Sequence, residues 1–166
     1  QLEEISSDRA LPVAQFKVTG SGREAAAAPR LEPNALPEPN LDNARQFRLD
    51  MTGGAMGRFV ETTYEGRVLQ DEDFRTTKQV WAFNGIANLA EQPFFSVNRD
   101  ESVVIDVVNN TAFPHAMHIH GHHFRVIERE DSEVDEGRPW RDTFLIGPDQ
   151  TTRIAFVADN PGKWLL

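Results

Sequence analysis

PHAMHIHGHHFRV, residues Pro114–Val126, contains all five histidines of the chain within an apolar pattern that continues through Phe124 and Val126. In an extended strand, side chains two residues apart share a face and odd offsets point to the other face. His118 and His120 therefore project together, while His115, three residues before His118, projects oppositely. A single strand of this kind can feed two metal sites, one on each side. Neutral imidazole is a good ligand for copper and zinc, but a single three-histidine zinc site needs convergent rings. The parity speaks against such a site. Surface decoration or an adventitious metal patch is the usual explanation of a lone histidine. It suits H-x-x-H-x-H-G-H inside an apolar β pattern poorly.

Outward from this stretch the pattern is β. Short runs rich in β-branched and aromatic residues fall at 46–51, 58–64, 79–83, 94–97, 102–108, 116–127, 142–146, 151–158 and 163–166. Gly, Asn, Asp and Pro punctuate them, as at Gly53–Gly54, Asn84–Gly85, Asn98–Glu101, Gly147–Gln150 and Asp159–Gly162. Many short strands at this spacing predict a sandwich or barrel rather than a parallel sheet. SVVIDVVN has Val103, Ile105 and Val107 on one inward face, and TTRIAFVA is apolar on both faces, so it is expected to be buried on both. No internal repeat is visible.

The N-terminal part reads differently. Residues 11–19 alternate well enough for a strand. The stretch 20–40 then carries four of the ten prolines and little periodicity, which predicts an extended connector. The expected organisation is a tail of a preceding domain over 1–19, a Pro/Ala-rich linker over 20–40, and a domain over 41–166.

Composition sets limits on function. The formal net charge is −9, with no basic stripe to neutralise phosphates, so a nucleic-acid partner is not expected. No apolar run is long enough to span a bilayer. No basic region followed by an apolar stretch opens the chain at Gln1, so no signal peptide is expected in it. Cysteine is absent. That removes disulfides, zinc–thiolate sites, a cysteine nucleophile and the thiolate that a blue copper centre requires.

The histidine segment resembles the multicopper oxidases, a family that includes laccases, copper-efflux oxidases and bilirubin oxidases. Their last cupredoxin domain carries H-P-x-H-L-H-G-H-x-F, and this chain reads H-A-M-H-I-H-G-H-H-F over His115–Phe124. Trp81–Gly85 (WAFNG) is similar to the family's W-x-x-N-G strand end. Asp100–Val108 with the following NNT, Trp140–Thr143 (WRDT) and Thr152–Leu166 resemble the flanking family segments, so the likeness spans about Leu41–Leu166. It implies an all-β, Greek-key β-sandwich of cupredoxin type, antiparallel and lacking its final strand. It also implies a parent enzyme that oxidises phenols, aromatic amines or low-valent metal ions by single-electron steps and reduces dioxygen to water.

Carried over residue by residue, the resemblance implies that His115 is a ligand of the type 1 copper. It makes His118 a type 2 ligand and His120 a type 3 ligand. His122 occupies a position that is commonly histidine without being a ligand, and His123 has no implied role. The family pattern continues with H-C-H-x-x-x-H and an axial Met or Leu, so the chain is expected to stop just before that motif. The remaining cupredoxin domains of the same enzyme would then be partners that complete the sites, alongside a small-molecule or metal-ion reductant and dioxygen. The isolated chain is expected to be inactive, and the parent periplasmic or secreted. Two other readings are a copper-free cupredoxin-fold scaffold or binding protein, and an isolated copper-binding module. Retention of all three ligand histidines counts against the first.

Other polar and soft residues carry weaker signals. Asp142 either bonds a ligand imidazole, or caps a turn or pairs with Arg141. The carboxylates of residues 128–137 read as a solvated loop. Met117, with parity opposite to His118, is expected in the core, and Met51 and Met56 flank a Gly-Gly turn in structural roles. Trp81, Trp140 and Trp164 are expected in the core.

Overall fold

The computed structural model describes residues 2–4, 11–22, 27–54, 60–78, 81–130, 135 and 137–166. The chain forms two compact units, Gln1–Asn34 and Ala35–Leu166. In the first, β1 (Leu2–Glu4) pairs antiparallel with β2 (Leu11–Ala14). The second unit begins six residues before the expected boundary at Leu41. Those residues lack regular structure but are tied down: Glu38 pairs with Arg125, and the Asn40 amide donates to the Ser102 hydroxyl at 2.9 Å.

The second unit is built from strands. In chain order they are β3 (Arg45–Gly53), β4 (Thr63–Tyr64), β5 (Arg67–Val68), β6 (Trp81–Phe83), β7 (Ser102–Asn109) and β8 (His115–His118). They continue with β9 (Phe124–Arg129), β10 (Trp140–Arg141), β11 (Thr143–Ile146) and β12 (Thr151–Val157). A six-stranded sheet runs β10-β9-β12-β7-β3-β6, and β8 pairs with β11 in a separate two-stranded sheet. Apart from β9 and β10, neighbours in the larger sheet are not consecutive in sequence, so the chain crosses repeatedly, and the result is the expected all-β sandwich. One expectation is corrected here. The sandwich is not wholly antiparallel, because β3 runs parallel to β7 from Arg45↔Val103 to Met51↔Asn109. Some fifty residues of connection between β3 and β7 make this parallel arrangement possible.

The core lies between the two sheets. Leu49, Met51, Val103, Ile105, Val107, Phe124, Val126, Ile154 and Phe156 of the large sheet meet Met117, Phe144 and Ile146 of β8 and β11 in one buried cluster. Val103, Ile105 and Val107 face inward as the alternation of β7 requires. Ile154, Ala155 and Phe156 of β12 are all buried, as expected for a strand paired on both sides. Residues 94–97 form no strand. Phe95 instead stacks on Phe47 with ring centroids 4.2 Å apart.

A short helix, α1 (Asp71–Thr77), was not anticipated. It is only two turns long, too short for a helical period to show. The Asp73 carboxylate accepts the Gln70 amide at its start, and buried Phe74 anchors it. No helix among the described residues is long and apolar enough to cross a membrane.

Candidate metal centre

Burial alternates from His115 through His120, but β8 itself is paired only over His115–His118. Antiparallel pairing sets Thr143 opposite His118, Phe144 opposite Met117, Leu145 opposite Ala116 and Ile146 opposite His115. Met117 turns into the core, Ala116 and His118 face outward, and His115 is half-buried on the inner side. The expectation of one strand over 116–127 is corrected. The strand stops at His118, the chain turns at His120–Gly121, and β9 starts at Phe124.

Gly121 permits that turn for two reasons. Its φ is +76°, a left-handed conformation that disfavours a Cβ, and a Cβ there would lie 2.5 Å from the Trp164 ring. The C-terminal segment braces the turn: Asn160 donates to the Gly121 carbonyl at 3.1 Å, Trp164 Nε1 to the Asn160 carbonyl at 2.9 Å, and the His120 amide to the Leu165 carbonyl at 3.0 Å. Residues 163–166, expected as a strand, form none and serve as this brace.

The turn sets His120 beside His118. Their rings lie 5.0 Å apart at 62°, and both residues are exposed. His118 Nδ1 lies 2.8 Å from the Asp142 carbonyl oxygen, which can only accept, so Nδ1 carries the proton. Thr143 Oγ1 sits 3.0 Å from the same nitrogen. Nε2 of His118 is thereby left with its lone pair, the state a metal ligand needs. Asp142 acts through its backbone carbonyl, which also accepts the Ile119 amide, and not through its carboxylate.

His115 lies apart from this pair. Its Nε2 is 2.9 Å from Thr111 Oγ1, and Trp81 meets its ring edge-to-face at 4.7 Å. Burial lowers its pKa below the usual imidazole value, which favours the neutral, ligand-competent ring. Among the described residues no three His, Asp or Glu side chains converge on one metal position.

The tryptophans depart from expectation. Trp81 is 39% exposed and Trp164 46%, so neither is a core residue. Trp81 lies across Gly54 and against Phe113 and His115, Trp164 covers Gly121, and Trp140 stacks on the Arg125 guanidinium at 4.2 Å. Gly54, His115, Gly121 and Arg125 are the platforms for these rings, which composition does not reveal. Met51 and Met117 are buried, while Met56 lies outside the described residues. In the acidic loop, 131–134 and 136 also lie outside them; Asp135 pairs with Arg129 at 2.6 Å. His123 is exposed. His122 packs on Phe156 with its Nε2 buried, 4.0 Å from Asp159 Oδ1.

Residues 51–166 match the family profile described as "Multicopper oxidase". The iron transport multicopper oxidase FET3 of Kluyveromyces lactis is 33% identical over 88 residues, a match covering 42% of this chain and 14% of that protein. The multicopper oxidase MmcO of Mycobacterium tuberculosis is 32% identical over 89 residues, covering 54% of this chain and 17% of that one. Among solved structures, Lac15 from a marine microbial metagenome superposes with a TM-score of 0.54 at 27% identity, over 90% of this chain and 29% of that chain. A multi-copper oxidase from Pseudomonas thermotolerans gives a TM-score of 0.59 at 22% identity, over 81% of this chain and 28% of the other, a likeness of fold. The matches thus span 14–17% of these curated relatives. With a profile match over most of its length and a histidine strand presenting rings on both faces, this chain belongs to the multicopper oxidase family.

Proposed function

We propose that this chain furnishes copper ligands from both faces of one strand: His115 to a type 1 site, and His118 and His120 to the type 2 and type 3 positions of a trinuclear cluster. The observation that carries the reading is the separation itself. His118 and His120 sit together outside the sandwich, with the Nε2 lone pair of His118 free, while His115 is held apart and half-buried against Trp81. The donors fit copper, for which neutral imidazole is a good ligand. When bound, copper supplies one-electron oxidation of a phenol, aromatic amine or metal ion and the reduction of dioxygen to water. The residues of this chain hold and orient. The Asp142 carbonyl and Thr143 fix the His118 tautomer, and the braced turn at Gly121 sets His120 beside it.

No cysteine is available here for a type 1 thiolate, and the matched relatives are several times longer. The reading therefore places the rest of each site on other parts of a larger enzyme, including further cupredoxin domains. Residues 1–19 are read as the tail of one such domain and 20–40 as the linker. A periplasmic or secreted location belongs to the same proposal.

The test uses the full-length oxidase that contains this chain, loaded with copper. Oxygen uptake is followed with a phenol, an aromatic amine and Fe(II) as separate reductants. His118→Ala and His120→Ala are each expected to lower copper content and to reduce turnover by at least about 100-fold, the upper end of what even outer-shell losses cost. His115→Ala is expected to remove the blue absorption while leaving the other coppers bound. Unchanged copper content and turnover in all three variants would contradict the assignment.

A further inference from the structure

We propose that Asn109 and Thr111 are positioning residues for His115: their buried hydrogen-bond relay holds its ring as the Nε2–H tautomer and leaves Nδ1 as the free nitrogen. The assignment of that nitrogen to copper rests on the function proposed above; the relay itself does not.

The argument is an accounting of hydrogens. Asn109 and Thr111 are fully buried. Asn109 Nδ2 lies 2.7 Å from the Phe113 carbonyl and 2.9 Å from the Gly147 carbonyl, with the Ile146 carbonyl at 3.4 Å. Carbonyls only accept, so the amide nitrogen must face them, and Oδ1 must face the other way. There Oδ1 receives the Thr111 amide at 3.0 Å and lies 2.7 Å from Thr111 Oγ1. Two oxygens at that distance need a hydrogen between them, and Oδ1 has none to give. The Thr111 hydroxyl proton is therefore committed to Asn109. Its only other close acceptor on this side, the Phe113 carbonyl at 3.1 Å, leads to the same result for the histidine. Thr111 Oγ1 is left with lone pairs, and His115 Nε2 at 2.9 Å must supply the proton.

Geometry reinforces the tautomer. The bonds from Asn109 tie the end of β7 to the loop at Phe113 and to the end of β11, the two segments that flank His115 in the fold. Trp81, perpendicular to the His115 ring at 88°, restrains its rotation. His118 is held in the opposite sense, with Nδ1 engaged and Nε2 free. One short strand thus presents different nitrogens on its two sides, each set by a different set of neighbours.

Long-range 1H–15N correlation spectra of the metal-free 166-residue chain read the tautomer of each ring directly. The wild-type chain is expected to show His115 with a protonated-type Nε2 and an unprotonated-type Nδ1. Thr111→Val removes the hydroxyl at nearly constant shape and is expected to move both nitrogens toward the averaged values of a mixed ring, while Thr111→Ser restores the wild-type pattern. An Nδ1–H tautomer in the wild-type chain would overturn the relay, whatever the variants do. So would a Thr111→Val spectrum identical to wild type. Added Cu(I) is expected to shift His115 Nδ1 and spare Nε2–H. An intact Nε2–H tautomer with no response at Nδ1 supports the relay and contradicts the copper reading instead.

Discussion

At Gly121 a residue choice that looks like part of a metal motif has a mechanical cause. The left-handed φ of +76° and the Trp164 ring lying where a Cβ would sit both exclude any side chain. Gly121→Ala is expected to destabilise the chain by about 1–2 kcal/mol from the backbone alone, with a further loss from displacing Trp164. Urea unfolding followed by tryptophan fluorescence measures it, and an unchanged midpoint would show that the turn relaxes freely. His115 supplies a second residue-scale prediction. Its folded pKa lies below the unfolded value because burial disfavours the charged ring. Below about pH 6.5 the unfolded chain takes up this proton more readily than the folded one. The contribution of His115 to stability is therefore complete above that pH and declines as pH falls toward the folded pKa. Ring-proton NMR should place the His115 midpoint below that of an unfolded-chain histidine; a midpoint at or above it would refute the burial argument.

At the scale of elements, the histidine strand depends on the sandwich behind it. Phe124, fully buried at the start of β9, meets Phe144 of β11 edge-to-face at 5.6 Å. Phe124→Ala is expected to cost about 3–5 kcal/mol as a large-to-small core change. Chemical denaturation tests this, and a loss under about 1 kcal/mol would mean the site collapses around the cavity. β7 and β12 were legible in sequence because both are long β-branched runs. Val103, Ile105 and Val107 are buried on the face that the alternation of β7 predicts, and Ile154, Ala155 and Phe156 as a strand apolar on both faces predicts. The opposed parity of His115 and His118 was legible from the same kind of alternation. Three features were not. The break after His118 depends on Trp164, some forty residues along the chain, pressing on Gly121. The parallel β3–β7 pair depends on topology, which local pattern does not encode. The tautomer-setting groups of His118 are a backbone carbonyl and a threonine hydroxyl on a neighbouring strand, which leave no compositional trace.

At the scale of the whole molecule, the matched relatives are far longer than this chain and the chain contains no cysteine, so the proposed metal sites are only partly furnished by its residues. Cu(II) added to the chain alone is accordingly expected to give no intense thiolate-to-copper band in the visible spectrum; a blue protein would contradict the ligand assignment outright. The central claim is that one strand serves two independent copper positions. Histidine-resolved NMR during an anaerobic Cu(I) titration tests it most directly, comparing the wild-type chain with the His118→Ala/His120→Ala double variant. His118 and His120 are expected to shift together in the wild type, and His115 to keep its own response when both are removed. Loss of the His115 response in the double variant, or a single titration shared by all three rings, would contradict it.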